Sequence, residues 1–200
     1  MDIELSHINP KFIELFRHTF GFTEDEFALF LSFFTAKTIS KKDYYLRAGE
    51  CCQSKAYINK GCTRHFVIDE HGHERILHFA FEDWWLGDME SYYSGKPATT
   101  YIQMLEDAEV MIISKESFLK SEEAIPKLKQ WYAHKMLRSA SASMARIAEM
   151  KTLTAEERYL HLLEKQPHIF QRIPLQYIAS YLNIEPPSLS RMRNRLTNKH

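Results

Sequence analysis

The chain has 200 residues, of which 44% are apolar, 26% charged and 13% aromatic. This is close to the globular average, so it excludes disorder as the main state and suits one large domain or two small ones. Net charge is zero, which excludes a uniformly basic polyanion binder, but residues 151–200 hold eight Lys/Arg against four acids while the rest of the chain holds 18 against 22. A basic tail on an acidic body is the charge pattern of a chain that meets a polyanion at one end.

Asn9-Pro10 starts a helix as cap and first-turn residue, Phe12, Ile13, Leu15, Phe16 and Phe20 give it an apolar face, and Gly21 ends it. Thr23 with Glu26 forms a capping box for a second helix, whose buried stripe is Phe27, Phe30, Leu31 and Phe34. From Thr38 to Ile113 the runs become short, β-branched and aromatic. Strands are expected at 56–59, 63–68, 75–81, 100–104 and 109–113, with Asp69-Glu70-His71-Gly72 turning a hairpin. Short strands at this spacing suggest a sandwich or barrel. Residues 82–97 interrupt them with an irregular, partly helical segment.

Helical spacing returns after 115. A long helix is expected from Pro126 to Met150, with Leu128, Trp131, Tyr132, Lys135, Ser139 and Ala142 at intervals of three and four. The small run 139–143 would let a second backbone approach closely. Thr154 with Glu157 caps another helix, which Gln166-Pro167 ends.

The most informative stretch is 174–196. Ile178 and Leu182 lie one turn apart, with Ala179 small where a second helix must cross. Asn183 tolerates the left-handed conformation a tight turn needs, and Ile184 plugs that turn. Pro186 and Pro187 open a second helix, where a missing N–H costs little. Its core face is Leu189, Met192 and Leu196. At 100° per residue, Ser190, Arg191 and Asn194 then point outward with Pro187, and Ser188 and Arg195 flank them. Short polar and cationic side chains of this kind contact phosphates and base edges in a major groove. The layout is that of a helix-turn-helix.

The order of these parts resembles the Crp/Fnr transcription regulators of bacteria. Lys60-Gly61-Cys62 with the hairpin 69–74 is similar to that family's glycine turn and hairpin. Gly87-Asp88 is similar to the Gly-Glu of its cyclic-nucleotide cassette, and Ile178-Ala179-Ser180-Tyr181-Leu182 with Ser188-Leu189-Ser190-Arg191 is similar to its helix-turn-helix. The resemblance implies an α+β protein: N-terminal helices and a cyclic-nucleotide-binding-like β jelly-roll over 1–125, a dimerisation helix over 126–150, and a small helix-turn-helix domain over 151–200. It implies a homodimer joined through Leu128, Trp131, Tyr132, Lys135, Ser139 and Ala142. It implies DNA contacts from Ser188, Ser190, Arg191, Asn194 and Arg195, and an effector pocket at Gly87, Asp88, Glu90, Ala98, Thr99 and Thr100. The implied partners are double-stranded DNA, a second copy, RNA polymerase and a small-molecule effector of unknown identity.

The chain departs from that pattern in several places. The family's Arg-Ser pair for the nucleotide phosphate falls on Ala98-Thr99, and Asp88 is one methylene shorter than Glu, so cyclic AMP is not the expected effector. The family's iron–sulfur sensors use four cysteines, and this chain has Cys51, Cys52 and Cys62. The sequence ends four residues after Leu196, so the wing is expected to be reduced or absent. Pro186 and Pro187 replace two residues that often read bases. These departures support the alternative of a ligand-sensing or protein-interaction module that has lost DNA binding.

No other chemistry competes. His65, His71, His73 and His78 surround the hairpin, but alternating strand positions point to opposite faces, so surface histidines and no metal are expected. Cys51 and Cys52 are expected to be small buried hydrophobes, and redox sensing by Cys51, Cys52 or Cys62 stays open as the alternative. No G-x-S-x-G, H-E-x-x-H, P-loop or dinucleotide-binding glycine pattern occurs, so neither an enzyme nor a cofactor is expected. There is no transmembrane-length apolar run, and the acidic start Met1-Asp2-Ile3-Glu4 lacks a signal-peptide core. With an odd, sparse cysteine count, this points to the cytoplasm.

Overall fold

The computed structural model describes residues 8–197. Its helices begin where short polar side chains can satisfy free backbone N–H groups. Asn9 Oδ1 accepts from the Lys11 N–H at 3.0 Å, and α1 (Pro10–Ile13) follows. It widens at once into a π-helical segment, Glu14–Thr19, so the expected single helix to Gly21 is two kinds of helix in series. At α2 (Glu24–Ser32) the capping box closes both ways, Glu26 N donating to Thr23 Oγ1 and Thr23 N to Glu26 Oε2.

Among the described residues eight strands follow where the sequence predicts five. The expected ones are β3 (Ser54–Lys60), β4 (Thr63–Ile68), β5 (Glu74–Ala80), β7 (Tyr101–Met104) and β8 (Ala108–Ser114). The additional ones are β1 (Thr35–Ile39), β2 (Tyr44–Leu46) and β6 (Trp85–Leu86). β1 is exposed at all but its last residue, so it shows no alternation to read, and β2 and β6 are too short for a period. The strands form two antiparallel four-stranded sheets, ordered β1-β8-β3-β6 and β2-β7-β4-β5, in a jelly-roll-like sandwich.

The first sheet is covered on both faces. Ala56, Ile58 and Val110 point between the sheets, meeting Leu46, Ile102 and Met104. The opposite parity of β3 carries Lys55 and Tyr57 to the outer face. There Tyr57 packs against Phe12 and Trp85, with ring centroids 4.8 and 5.5 Å away. Trp131 joins this aromatic layer through Phe16 and Trp85. The β3–β4 turn explains Gly61: its φ is +103°, and an added Cβ would lie 2.8 Å from that of Ala108.

Among the described residues five further helices precede the last two: α3 (Met89–Ser94), α4 (Lys115–Ala124), α5 (Lys127–Thr152), α6 (Ala155–Lys165) and the short α7 (Ile169–Arg172). The helix-turn-helix pair is α8 (Leu175–Leu182) and α9 (Pro186–Thr197). Thr154 and Glu157 form the expected capping box of α6. Contacts divide the chain into two compact units. One runs to Val67 and adds Phe79–Lys135; the other is Ile68–His78 with the chain from Met136 onward.

This division departs from domain limits at 125 and 150. The first turns of α5 belong to the first unit because Leu128, Trp131 and Tyr132 are buried in it, at 0%, 3% and 8% exposure. The hairpin tip belongs to the second because the Ser180 hydroxyl of α8 donates to the Glu74 carbonyl at 3.2 Å and accepts from the Ile76 N–H at 3.1 Å.

Candidate nucleic-acid interface and effector cassette

In the second unit the sequence pattern of the helix-turn-helix becomes geometry. Asn183 adopts φ 54° and ψ 48°, the left-handed cap that ends α8. Ile184 N donates to the Ala179 carbonyl at 3.0 Å, closing the turn. Ile178, Ala179, Leu182 and Leu189 are fully buried or nearly so. Pro186 and Pro187 occupy the first turn of α9, and the Glu185 carbonyl accepts from Ser188 N and Leu189 N. The two prolines thus sit where no intrahelical donor is missed.

Two arginines outside the motif hold its turn, and sequence reasoning did not single them out. Arg146 of α5 donates to the Tyr181 carbonyl at 2.8 Å and stacks on the Tyr181 ring at 3.5 Å. Arg158 of α6 donates to the Leu182 carbonyl at 3.0 Å and to that of Leu153 at 2.6 Å. These carbonyls are among those a helix leaves free at its C-terminus, where cations are favoured. In the sequence they stand 28 and 16 residues before Pro174, on helices outside the motif, where no local pattern ties them to it.

The outward face of α9 carries the expected side chains. Arg191, Asn194 and Arg195 are exposed, and Ser188 and Ser190 are half-buried. Ser188, Arg191, Met192 and Arg195 line one shallow groove. Arg191 Nη2 donates to Ser188 Oγ at 3.3 Å, which leaves most of its guanidinium fork available. Arg195 is engaged in an ion pair with Glu156 of α6. Arg193 lies over the Phe170 ring at 4.4 Å.

In the first unit, the residues expected to form an effector pocket are held by one another. Asp88 caps α3: its Oδ1 accepts from Ser91 N at 2.9 Å, and its Oδ2 accepts from the Thr100 hydroxyl at 2.6 Å. Gly87 sits at φ +153°, and the following Asp88 N–H donates to Cys52 Sγ at 3.4 Å. Ala98 is buried and makes two backbone bonds to the 49–50 turn, from Gly49 N and to the Glu50 carbonyl. Glu90 and Thr99 are exposed and stand outside this network. The ring of residues is therefore closed by hydrogen bonds, and the place of a phosphate-binding Arg holds a buried methyl group. This chemistry does not fit a cyclic nucleotide phosphate, which needs a donor or a cation there.

The residues expected at a dimer interface divide in the same way. Leu128, Trp131 and Tyr132 face their own core, so they are not a surface; the shared spacing that suggested a pairing face is that of a helix packing on a β-roll. Lys135 is half-buried, its ammonium 5.3 Å from the Trp85 ring, and Ser139 and Ala142 are exposed. Beyond them α5 exposes Leu137, Met144 and Ile147, at 67%, 71% and 53%.

The histidines also differ from a uniform surface set. His71 and His73 are exposed at the hairpin tip, whereas His65 is buried and His78 half-buried. Burial, with help from Arg146, holds the His78 imidazole down at about 4. Among the described residues no three His, Cys, Asp or Glu converge as a metal site would require. Cys51 is exposed while Cys52 and Cys62 are buried, and burial pushes the Cys52 thiol up. Among the described residues no helix is long and apolar enough to cross a membrane.

Residues 36–121 match the sequence model of the cyclic nucleotide-binding domain. No curated protein matches the chain by sequence. Solved structures match over most of its length. FixK2 from Bradyrhizobium japonicum is 14% identical with a TM-score of 0.72, covering 83% of this chain and 85% of that one. The c-di-GMP responsive global regulator CLP of Xanthomonas campestris is 14% identical with a TM-score of 0.70, covering 88% and 93%. A protein from Eubacterium rectale, assigned to the crp/fnr family of transcriptional regulators, is 15% identical with a TM-score of 0.68, covering 89% and 85%. Residues 36–121 are thus similar to the cyclic nucleotide-binding domain, and over most of its length the chain has the fold seen in the Crp/Fnr regulators.

Proposed function

We propose that the protein is a transcription regulator that binds DNA as a homodimer through α8 and α9, with a β-roll sensor domain that does not use cyclic AMP. The observation that carries this reading is the α8–α9 pair itself. Its turn is fixed by left-handed Asn183 and by Arg146 and Arg158, and its second helix offers Ser188, Arg191 and Asn194 to solvent. Arg191 forks onto a guanine edge, and Ser188, one turn before it, suits a phosphate or base oxygen. Ser190, Asn194 and Arg195 complete the contact surface. Such a regulator acts in the cytoplasm, where its partners are double-stranded DNA and RNA polymerase, and it performs no catalysis of its own.

The dimer follows from α5. Leu137, Met144 and Ile147 recur at seven and three, with Ala140 and Ser141 between them and Ala148 next in line, a spacing that suits the seam of a two-stranded coiled coil. Ser139 and Ala142 border that seam. Two copies joined there present two recognition helices to half-sites about one DNA turn, roughly 34 Å, apart.

A second reading, a module that has lost DNA binding, is favoured by the ion pair that occupies Arg195 and by the two prolines that open α9. One experiment separates the two. An operator is selected from random duplexes, and its affinity is compared with that of random DNA for the wild type and for Arg191→Ala. Arg191→Ala should lose about 1–3 kcal/mol of specific binding with unchanged fold stability. Failure to select any sequence, or an unchanged specific-to-random ratio in the variant, would sink the recognition role.

A further inference from the structure

The outer face of β3 holds an unusual side chain. Lys55 is 4% exposed, and its Nζ finds no hydrogen-bond acceptor among the described residues. Parity forces it there, because Ala56 and Ile58 must fill the sandwich. The ammonium position is surrounded by rings instead. Its Nζ lies 3.7 Å from the centroid of Tyr132, 3.8 Å from Phe118, 4.2 Å from Tyr92 and 5.7 Å from Tyr93. These rings come from α3, α4 and the second turn of α5. The Tyr92 hydroxyl, in the same cluster, is also buried without a hydrogen-bond partner among the described residues.

Ring faces attract a cation, but they cannot replace the three hydrogen bonds an ammonium makes to water. The charged state of this amine is therefore less favoured than that of a lysine on a surface. We propose that this aromatic cage is a proton-binding site, at which Lys55 exchanges one proton under physiological conditions and so changes how firmly α3, α4 and the start of α5 hold to β3. No nucleotide is needed for this response, and the site adjoins the Asp88–Thr100 network, since Asp88 caps the helix that supplies Tyr92 and Tyr93.

The surrounding charges agree with the geometry. Burial pulls the Lys55 amine down to about 7, Lys135 of α5 and Lys115 of α4 push the same way, and Glu122 of α4 and Cys52 before β3 oppose them. Tyr92, Tyr93 and Tyr132 are the remaining titratable groups facing the cage; burial pushes Tyr92 and Tyr132 upward, so both stay neutral around pH 7. Lys115 Nζ is itself tied to the Tyr92 carbonyl at 2.5 Å. The unfolded chain keeps the ordinary lysine value of 10.5. Between about 7 and 10.5 the unfolded state therefore binds more protons than the folded one, and stability rises with pH across that window. Below it, both states are protonated and the dependence vanishes.

The test uses the full chain, free of DNA, so it stands or falls apart from the proposed DNA binding. Lysine side chains labelled with 13C at Cε are titrated by NMR. One resonance should move with a midpoint near 7, and it should be missing from Lys55→Met, whose thioether fills the same cage. In urea unfolding, the ratio of the wild-type to the Lys55→Met folding constant should rise about tenfold per pH unit above 7. If every lysine resonance titrates above about 9.5, or if that ratio is flat between pH 7 and 9, the proposal is wrong. Should Lys55→Met fail to fold, the wild-type titration alone decides.

Discussion

The β-roll cassette and the recognition helix treat their polar side chains in opposite ways. Around Asp88 each group is turned inward and satisfied by a neighbour: the carboxylate takes Ser91 N and the Thr100 hydroxyl, and Ser91 Oγ accepts from Cys52 N and donates to the Lys96 carbonyl. On α9 the core takes Leu189 wholly and leaves Arg191 and Asn194 in solvent. A satisfied buried network is stable but has little left to offer a ligand, whereas an exposed polar row contributes little to folding and is available to a partner. Similarity to a nucleotide-binding domain therefore does not by itself supply a nucleotide site. The second helix of the pair instead leaves Arg191 and Asn194 exposed to a partner.

The comparison breaks most visibly at the turn that closes the inward-facing region. Gly61→Ala should destabilise the first unit by about 2–4 kcal/mol, because the added methyl meets Ala108 Cβ and the left-handed backbone is strained as well. Urea unfolding monitored by tryptophan fluorescence reads this. A loss below 0.5 kcal/mol, a threshold for ordinary surface substitutions, would mean that the β3–β4 turn relaxes freely and that the roll is looser than its packing implies.

A smaller change sharpens the account of the cassette. Asp88→Ala removes a helix cap and the acceptor of Thr100, and should cost about 1–2 kcal/mol. Calorimetry should find no cyclic AMP binding in the wild type, nor in Ala98→Arg, since a restored guanidinium still faces a carboxylate engaged as the α3 cap. Micromolar binding in the wild type would show that the Asp88–Thr100 bond opens readily and that the network is a resting state of a live nucleotide site.

The smallest effect tests the outward-facing region. Glu156→Gln releases Arg195 from its ion pair, an exposed contact worth about 0–1 kcal/mol to the fold. Stability should hardly move. Affinity for random DNA should rise several-fold, and the salt slope should steepen by about one, as expected for one additional phosphate contact. An unchanged slope would mean that Arg195 plays no part in binding, which would weaken the contrast between the two regions.

Much of this molecule is determined locally and is legible in the sequence. The capping boxes at Thr23 and Thr154, the left-handed Asn183 and the paired prolines of α9 depend on groups within four residues of each other, so their chemistry is written in adjacent letters. The core stripe of α9 likewise follows from a period. Tertiary structure decided what periodicity leaves ambiguous. Leu128, Trp131 and Tyr132 have the spacing of an apolar face, but only the Phe16 and Trp85 rings show that the face is spent on the chain's own roll and that any seam between copies must begin at Leu137. β1 and β2 carry no alternation, because neighbouring strands and not burial define them. Lys55 reads as an ordinary polar residue before a strand, and becomes an encaged amine only when three helices, up to 77 residues away in the chain, close over it. Burial and charge pairing are properties of packing between distant segments, and a one-dimensional pattern records only the local half of that.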